Sequence, residues 1–176
     1  MSASTPDTAL DIEVLKQFRI IIKSIRGHFQ SIEASCGISG AQLWALAKID
    51  STSDITISEL AKELAIHQTT ASNLVEKLCA KKLIKRVRQH TDQRFVSLMQ
   101  TAAGKKMLAQ APTPLQGLLP DALGRMPYKK LLMLHELLGD LQNLMASIDE
   151  SAAAAPLSDD DTEAVDMTQK RATKRK

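Results

Sequence analysis

From Ile57 to Gly104 the chain reads ISELAKELAIHQTTASNLVEKLCAKKLIKRVRQHTDQRFVSLMQTAAG, and no other stretch constrains the fold as strongly. Ser58, followed by Glu59 and Leu60, is a candidate N-cap, because a short hydroxyl side chain satisfies free backbone N–H groups at a helix start. Leu60, Ala61 and Leu64 then recur at helical spacing. The Ala65-Ile66-His67 break has the length of the turn in a helix-turn-helix. A second helix starts near Gln68 or Thr69 and runs to about Lys81, with Ala71, Leu74, Val75 and Leu78 as its apolar stripe. Its opposite face presents Thr69, Thr70, Ser72, Asn73 and Lys77, short hydrogen-bonding groups with a cation. That face suits base edges and phosphates in a major groove. Read alone, it is equally a solvated polar surface.

The next segment tips the balance. Ile84–Arg88 and Phe95–Met99 are rich in apolar and β-branched residues, and the polar Gln89–Arg94 loop separates them, as in a hairpin. Between Lys77 and Arg94 stand seven cations (Lys77, Lys81, Lys82, Lys85, Arg86, Arg88, Arg94) against one acid, Asp92. A local charge of +6 in 18 residues far exceeds the whole-chain value of +3. Such a concentration attracts phosphates and makes binding salt-dependent through counterion release. Asp92 among these cations holds the loop and orients Arg94, which can then enter a narrow minor groove. The plainer alternative for Arg94 is a solvent-exposed turn arginine. Two helices and a basic hairpin in this order make a winged helix-turn-helix.

These residues resemble the MarR family of bacterial transcriptional regulators. The matching segments are ELAKELAI, TTASNLVEKL, KKLIKR, the Asp92-x-Arg94 wing and TAAG at Thr101–Gly104. The resemblance spans about residues 10–149. It implies that the helix beginning at Gln68 is the recognition helix, with Gln68, Thr69, Thr70, Ser72 and Asn73 facing bases. Lys77, Arg86 and Arg88 would contact phosphates or brace the wing, and Arg94 would be the minor-groove arginine, oriented by Asp92. Asn73 stands where the family often has arginine, which bears on operator sequence. Gln100 replaces an apolar strand-ending residue and is expected to loosen the wing. Relatives often respond to small aromatic or phenolic acids held between the DNA-binding lobe and the dimer helices, and the candidates for such a pocket here are His28 and Trp44. Some relatives sense peroxides through a cysteine in the first helix, which makes Cys36 a redox candidate. An ordinary unreactive thiol is the plainer reading, and Cys79 reads as a packing residue.

The fold expected is mainly α with a small β wing, the winged unit (about 55–101) flanked by helices over about 11–35 and 101–149. At 176 residues and 44% hydrophobic, the chain can bury one ordinary core, and with only 3% aromatics that core must come from Leu, Ile, Ala and Met, which favours helices over a β-sandwich. Ile12, Leu15, Phe18, Ile22, Ile25, Phe29 and Ile32 share one face of the first helix. The Gly37–Gly40 turn ends it, and Ala41–Ile49 reads as a second helix carrying the sole tryptophan, Trp44. From Thr101 a further helix is interrupted by Pro112, Pro114, Gly117 and Pro120. A last one opens at Pro127 and runs to about Ile148, with Leu131, Leu134, Leu138, Leu141, Met145 and Ile148 in line.

A winged unit of this size does not need such leucine-rich flanks to fold. They point to a homodimer that sets two recognition helices about one DNA turn apart over a pseudo-palindrome, an arrangement the resemblance also implies. Residues 1–9 read as a flexible tail, and 150–176 as a disordered tail; from Ser151 to Lys176 its five acids and five cations cancel. No apolar run reaches the ~20 residues of a membrane span, and the N-terminus lacks signal-peptide features, so a cytoplasmic location is expected.

Cys36, Cys79 and the four histidines (His28, His67, His90, His135) lack metal-site spacing, so no metal is expected. No glycine-rich phosphate loop or partnered nucleophile is present, so neither an enzyme nor a cofactor is expected. The reading is a sequence-specific regulator, most readily a repressor relieved by an effector. The alternatives are a non-specific architectural DNA binder, a redox-responsive regulator using Cys36, and a protein–protein adaptor, against which the basic wing argues.

Overall fold

The computed structural model describes residues 8–88 and 96–157. Seven α-helices and one antiparallel strand pair occur among them: α1 (Thr8–Cys36), α2 (Gly40–Ser51), α3 (Ile57–Glu63), α4 (Gln68–Ala80), β1 (Ile84–Arg88), β2 (Val96–Gln100), α5 (Ala102–Gln110), α6 (Leu118–Gly124) and α7 (Tyr128–Leu144). The mainly helical class with a small two-stranded wing is therefore as the sequence indicates.

The core lies under the helical stripes and the strands. Leu43, Leu46, Ile55, Leu60, Val75 and Leu78 are fully buried, and Leu83, Ile84 and Leu98 extend the cluster under the strands. α2 sits at its centre, packed on α1, α3, α4, α5 and β2. It is held at its start by a reciprocal cap: Gln42 N–H donates to Ser39 Oγ, and Ser39 N–H donates to Gln42 Oε1.

Several boundaries differ from the sequence expectation. α3 is capped by Thr56 and not by Ser58: Glu59 N–H donates to Thr56 Oγ1, and Thr56 N–H donates to the Glu59 carboxylate at 2.8 Å. Glu at the third position satisfies the capping residue's own N–H, an arrangement that Ser58 could not complete with Ala61 at its third position. The last helix stops at Leu144, short of Ile148. Residues 150–157, expected to be part of a disordered tail, include a 3-10 turn over Glu150–Ala154 and contact the helical body, where Ala154 O accepts the His67 N–H at 3.3 Å. The short apolar run Ala152–Leu157 gives this part of the tail something to bury. Residues 1–7 and 158–176 lie outside the described residues.

The flanking helices also differ from a core-facing reading. Among the residues of α1 from Leu10 on, only Ile32 is fully buried, with Phe29 packed against the core, while Leu10, Ile12, Leu15, Ile20, Ile21 and Ile22 are exposed. No residue of α7 is buried, and Leu137 and Leu144 stand 63% and 85% exposed. Within one chain these stripes have nothing to cover them among the described residues.

Candidate nucleic-acid interface and the adjoining cavity

The turn between α3 and α4 is built from backbone. Ala65 sits in the left-handed region at φ 53°, Ala65 N–H donates to Lys62 O, and Ile66 N–H donates to Ala61 O. This pair of bonds is a Schellman closure, which satisfies the last carbonyls of α3 and aims the chain into α4. α4 ends the same way. Lys82 is left-handed at φ 58°, Lys82 N–H donates to Cys79 O, and Leu83 N–H donates to Leu78 O. Ala71, Leu74, Val75 and Leu78 bury one side of α4 against α2, α3 and β1.

The opposite side presents the residues singled out by sequence. Gln68, Thr69, Asn73 and Lys77 are exposed, and Thr70 and Ser72 are half-buried at the edge of the packed face. Gln68 is tethered, its side-chain amide donating to Ser58 Oγ at 3.1 Å, so Ser58 braces α4 instead of capping α3.

Arg86 and Arg88 are exposed on β1, opposite Leu98 and Val96 of β2. Asp92, Arg94 and His90 belong to residues 89–95, which lie outside the described residues. The cations of this region do not all face outward for binding: the Lys81 ammonium donates to Gly37 O at 2.9 Å, closing the end of α1.

The base of the strand pair explains the Thr-x-x-Gly motif. Thr101 caps α5 by accepting from Gly104 N–H, and its hydroxyl lies 2.8 Å from Lys82 O and 3.0 Å from Leu83 O. Thr101 N–H also donates to Leu83 O. A Cβ on Gly104 would collide with that carbonyl and with Gln100 and Leu46. Gln100 lies beside this contact, buried, with neither amide atom hydrogen-bonded. β2 is further tied in by Leu98 N–H donating to Ile55 O.

Behind the helix-turn-helix lies a cavity of about 460 Å³. Phe29 of α1, Trp44 of α2, Ile66 of the turn, Leu74 of α4 and Leu123 of α6 contribute to its wall. Trp44, one of the two pocket candidates from the sequence, is thus part of the wall, and its indole N–H is buried without a hydrogen-bond partner. His28, the other candidate, is not in the wall. Its Nε2 lies 3.1 Å from Pro114 O, and its neighbour Phe29 faces the cavity instead, because one helical step turns the side chain away. Ala152, Ala153, Ala155, Pro156 and Leu157 complete the wall. Sequence reading missed them; the one signal was that SAAAAPL is the only apolar patch in an otherwise charged tail.

Cys36 is half-buried, with its sulfur 3.6 Å from Ser35 Oγ, and Cys79 is half-buried against the core. Among the described residues no three His, Cys, Asp or Glu side chains cluster as a metal site would need, and no helix is long and apolar enough to cross a membrane.

Residues 37–94 match the sequence profile of the MarR family. No curated protein matches the chain in sequence. Among solved structures the chain is similar to the S. aureus MepR–DNA complex, with TM-score 0.53 and 22% identity over 73% of this chain and 94% of that one. It is also similar to the YusO protein from Bacillus subtilis, with TM-score 0.51 and 18% identity over 80% of this chain and all of that one. The transcriptional regulator BldR from Sulfolobus solfataricus gives TM-score 0.50 and 20% identity over 80% of this chain and all of that one. At these identities the likeness establishes the fold.

Proposed function

We propose that this chain, a member of the MarR family of winged helix-turn-helix transcriptional regulators, acts as a homodimer that binds a pseudo-palindromic operator and represses transcription until a small effector releases it. The observation that carries the reading is the exposed polar face of α4 beside the arginines of β1. Gln68, Thr69, Thr70, Ser72 and Asn73 read base edges in the major groove, where amide and hydroxyl groups match the donor and acceptor pattern. Lys77, Arg86 and Arg88 hold phosphates, and Arg94, oriented by Asp92, enters the neighbouring minor groove.

The uncovered apolar stripes of α1 and α7 support the dimer. A soluble monomer rarely leaves contiguous apolar surface of this extent in water, and pairing the two stripes with those of a second copy buries them. The double-stranded DNA contact then repeats by two-fold symmetry. The cavity behind the turn is where an effector would act: it touches both the turn and Leu74 of α4, so occupancy biases the position of the reading helix.

Fluorescence anisotropy on DNA from the protein's own upstream region, against scrambled DNA over roughly 50 to 300 mM salt, tests the reading. A tight preference for one segment with two protomers per site is expected. Equal, steeply salt-sensitive binding to both DNAs would instead indicate a non-specific architectural protein, and absence of binding an adaptor.

A further inference from the structure

The wall of the cavity has two properties that its position does not require. First, none of its lining side chains among the described residues is ionisable; Gln116 and the Trp44 indole are the polar members. A carboxylate placed there would meet no counter-charge, and burying an unpaired charge is strongly unfavourable. An uncharged molecule meets apolar wall on most sides.

Second, one side of the wall is the chain's own C-terminal segment. After α7 the backbone turns through Glu150–Ala154 and lays Ala152, Ala153, Ala155, Pro156 and Leu157 along the cavity, with the volume beneath them still open. The same segment reaches the reading helix. Ala154 O accepts the N–H of His67, the N-cap residue of α4, which has no side-chain cap bond of its own. A molecule under the segment therefore adds apolar contact to a strap whose backbone is bonded to the start of α4.

We infer that residues 150–157 form a ligand-responsive roof, that the cavity beneath takes an uncharged, largely apolar molecule, and that occupancy fixes the roof against the N-terminus of the recognition helix. This rests on the effector reading above and narrows it: the aromatic-acid class gives way to neutral aromatic or aliphatic compounds. Differential contact with the roofed state is what lets the ligand shift the population of α4 positions.

The sole tryptophan lines the cavity, so its emission reports occupancy directly. The test titrates full-length protein with N-phenylnaphthylamine and, separately, with anilinonaphthalene sulfonate, the same skeleton bearing a sulfonate. Amide hydrogen exchange at His67 is followed in parallel. The expected result is quenching of Trp44 by the neutral probe at least about tenfold tighter than by the sulfonate, reflecting the unpaired buried charge. Saturation with the neutral probe should also slow His67 exchange. In the double variant Ala153→Asp/Ala155→Asp the neutral probe should weaken by about tenfold or more, and the slowing at His67 should vanish. Neither alanine belongs to the buried core, so this variant folds.

Equal or tighter binding of the sulfonate overturns the ligand class. Unchanged His67 exchange, or unchanged affinity in the variant, overturns the roof. Sequence-specific DNA binding without these effects leaves the regulator standing and removes the inference. The probe effects without any DNA binding do the reverse.

Discussion

Gly104→Ala is the substitution whose sign is most diagnostic. Inside a helix, alanine is ordinarily preferred to glycine by about 1 kcal/mol, and Gly104 lies within α5. Here the new Cβ would press on the carbonyl oxygen of Leu83, come within 2.8 Å of Gln100 Cγ and within 3.2 Å of Leu46 Cδ1. The carbonyl has little freedom to move, because both the N–H and the hydroxyl of Thr101 donate to it at 3.0 Å. Forcing a methyl into a packed contact costs about 1–3 kcal/mol, and distorting one of those hydrogen bonds about 1 more. Set against the helix preference, the net is a loss of about 1–3 kcal/mol. For a chain of this length that lowers Tm by about 2–4 °C per kcal/mol.

Urea unfolding followed by circular dichroism measures this loss as a lowered midpoint at constant slope. Gly27→Ala serves as the counterpart, since nothing lies within 4 Å of a Cβ there, and it should raise the midpoint. If Gly104→Ala is as stable as the parent, or more so, the close approach of α5 to the strand base is wrong.

Arg86→Ala and Arg88→Ala should each weaken DNA binding for all sequences and reduce the salt slope by about 0.9 if one phosphate contact is lost. Asn73→Ala should instead relax base preference, costing about 1–3 kcal/mol on the preferred operator alone; an equal loss on scrambled DNA would count against base reading. Glu59 is held below the ordinary carboxylate range by the Thr56 backbone N–H first and its hydroxyl second, with Lys62 adding a little. Its contribution to stability is therefore present above that range and is lost as pH falls through the depressed value. Thr56→Ala removes the hydroxyl and keeps the backbone N–H, so it should raise the Glu59 titration, read by NMR, only part of the way and reduce that part of the pH profile without abolishing it. Leu137→Asp, in the middle of the exposed stripe of α7, should convert the dimer to monomer in sedimentation equilibrium, while a monomeric parent would remove the proposed interface.

The order of the elements was legible because each has its own pattern: apolar residues at three and four in α3 and α4, and a β-branched basic run in the hairpin. Capping was only partly legible. Ser58 and Thr56 are both hydroxyl residues followed by glutamate, and only the reciprocal bond to Glu59 decides between them. The left-handed residues at the ends of α3 and α4 are an alanine and a lysine, so the usual glycine signal for such a closure was missing. Trp44 as a wall of the cavity could be guessed from the resemblance; the exclusion of His28 required knowing which way α1 is rotated. The roof was invisible because five small residues in a charged tail carry no periodicity, and their value arises only from the surface they meet.

The two backbone closures flanking α4 have a consequence for how this protein could change. Both ends of α4 are fixed by main-chain hydrogen bonds, and its inner stripe by the core, so none of these restraints depends on Thr69, Ser72 or Asn73. Side chains on the outer face can thus be exchanged without moving the axis that carries them. Under the proposed function, a lineage of such chains can drift toward new operators one base pair at a time, and an engineer can retarget the protein by randomising that face on an unaltered scaffold.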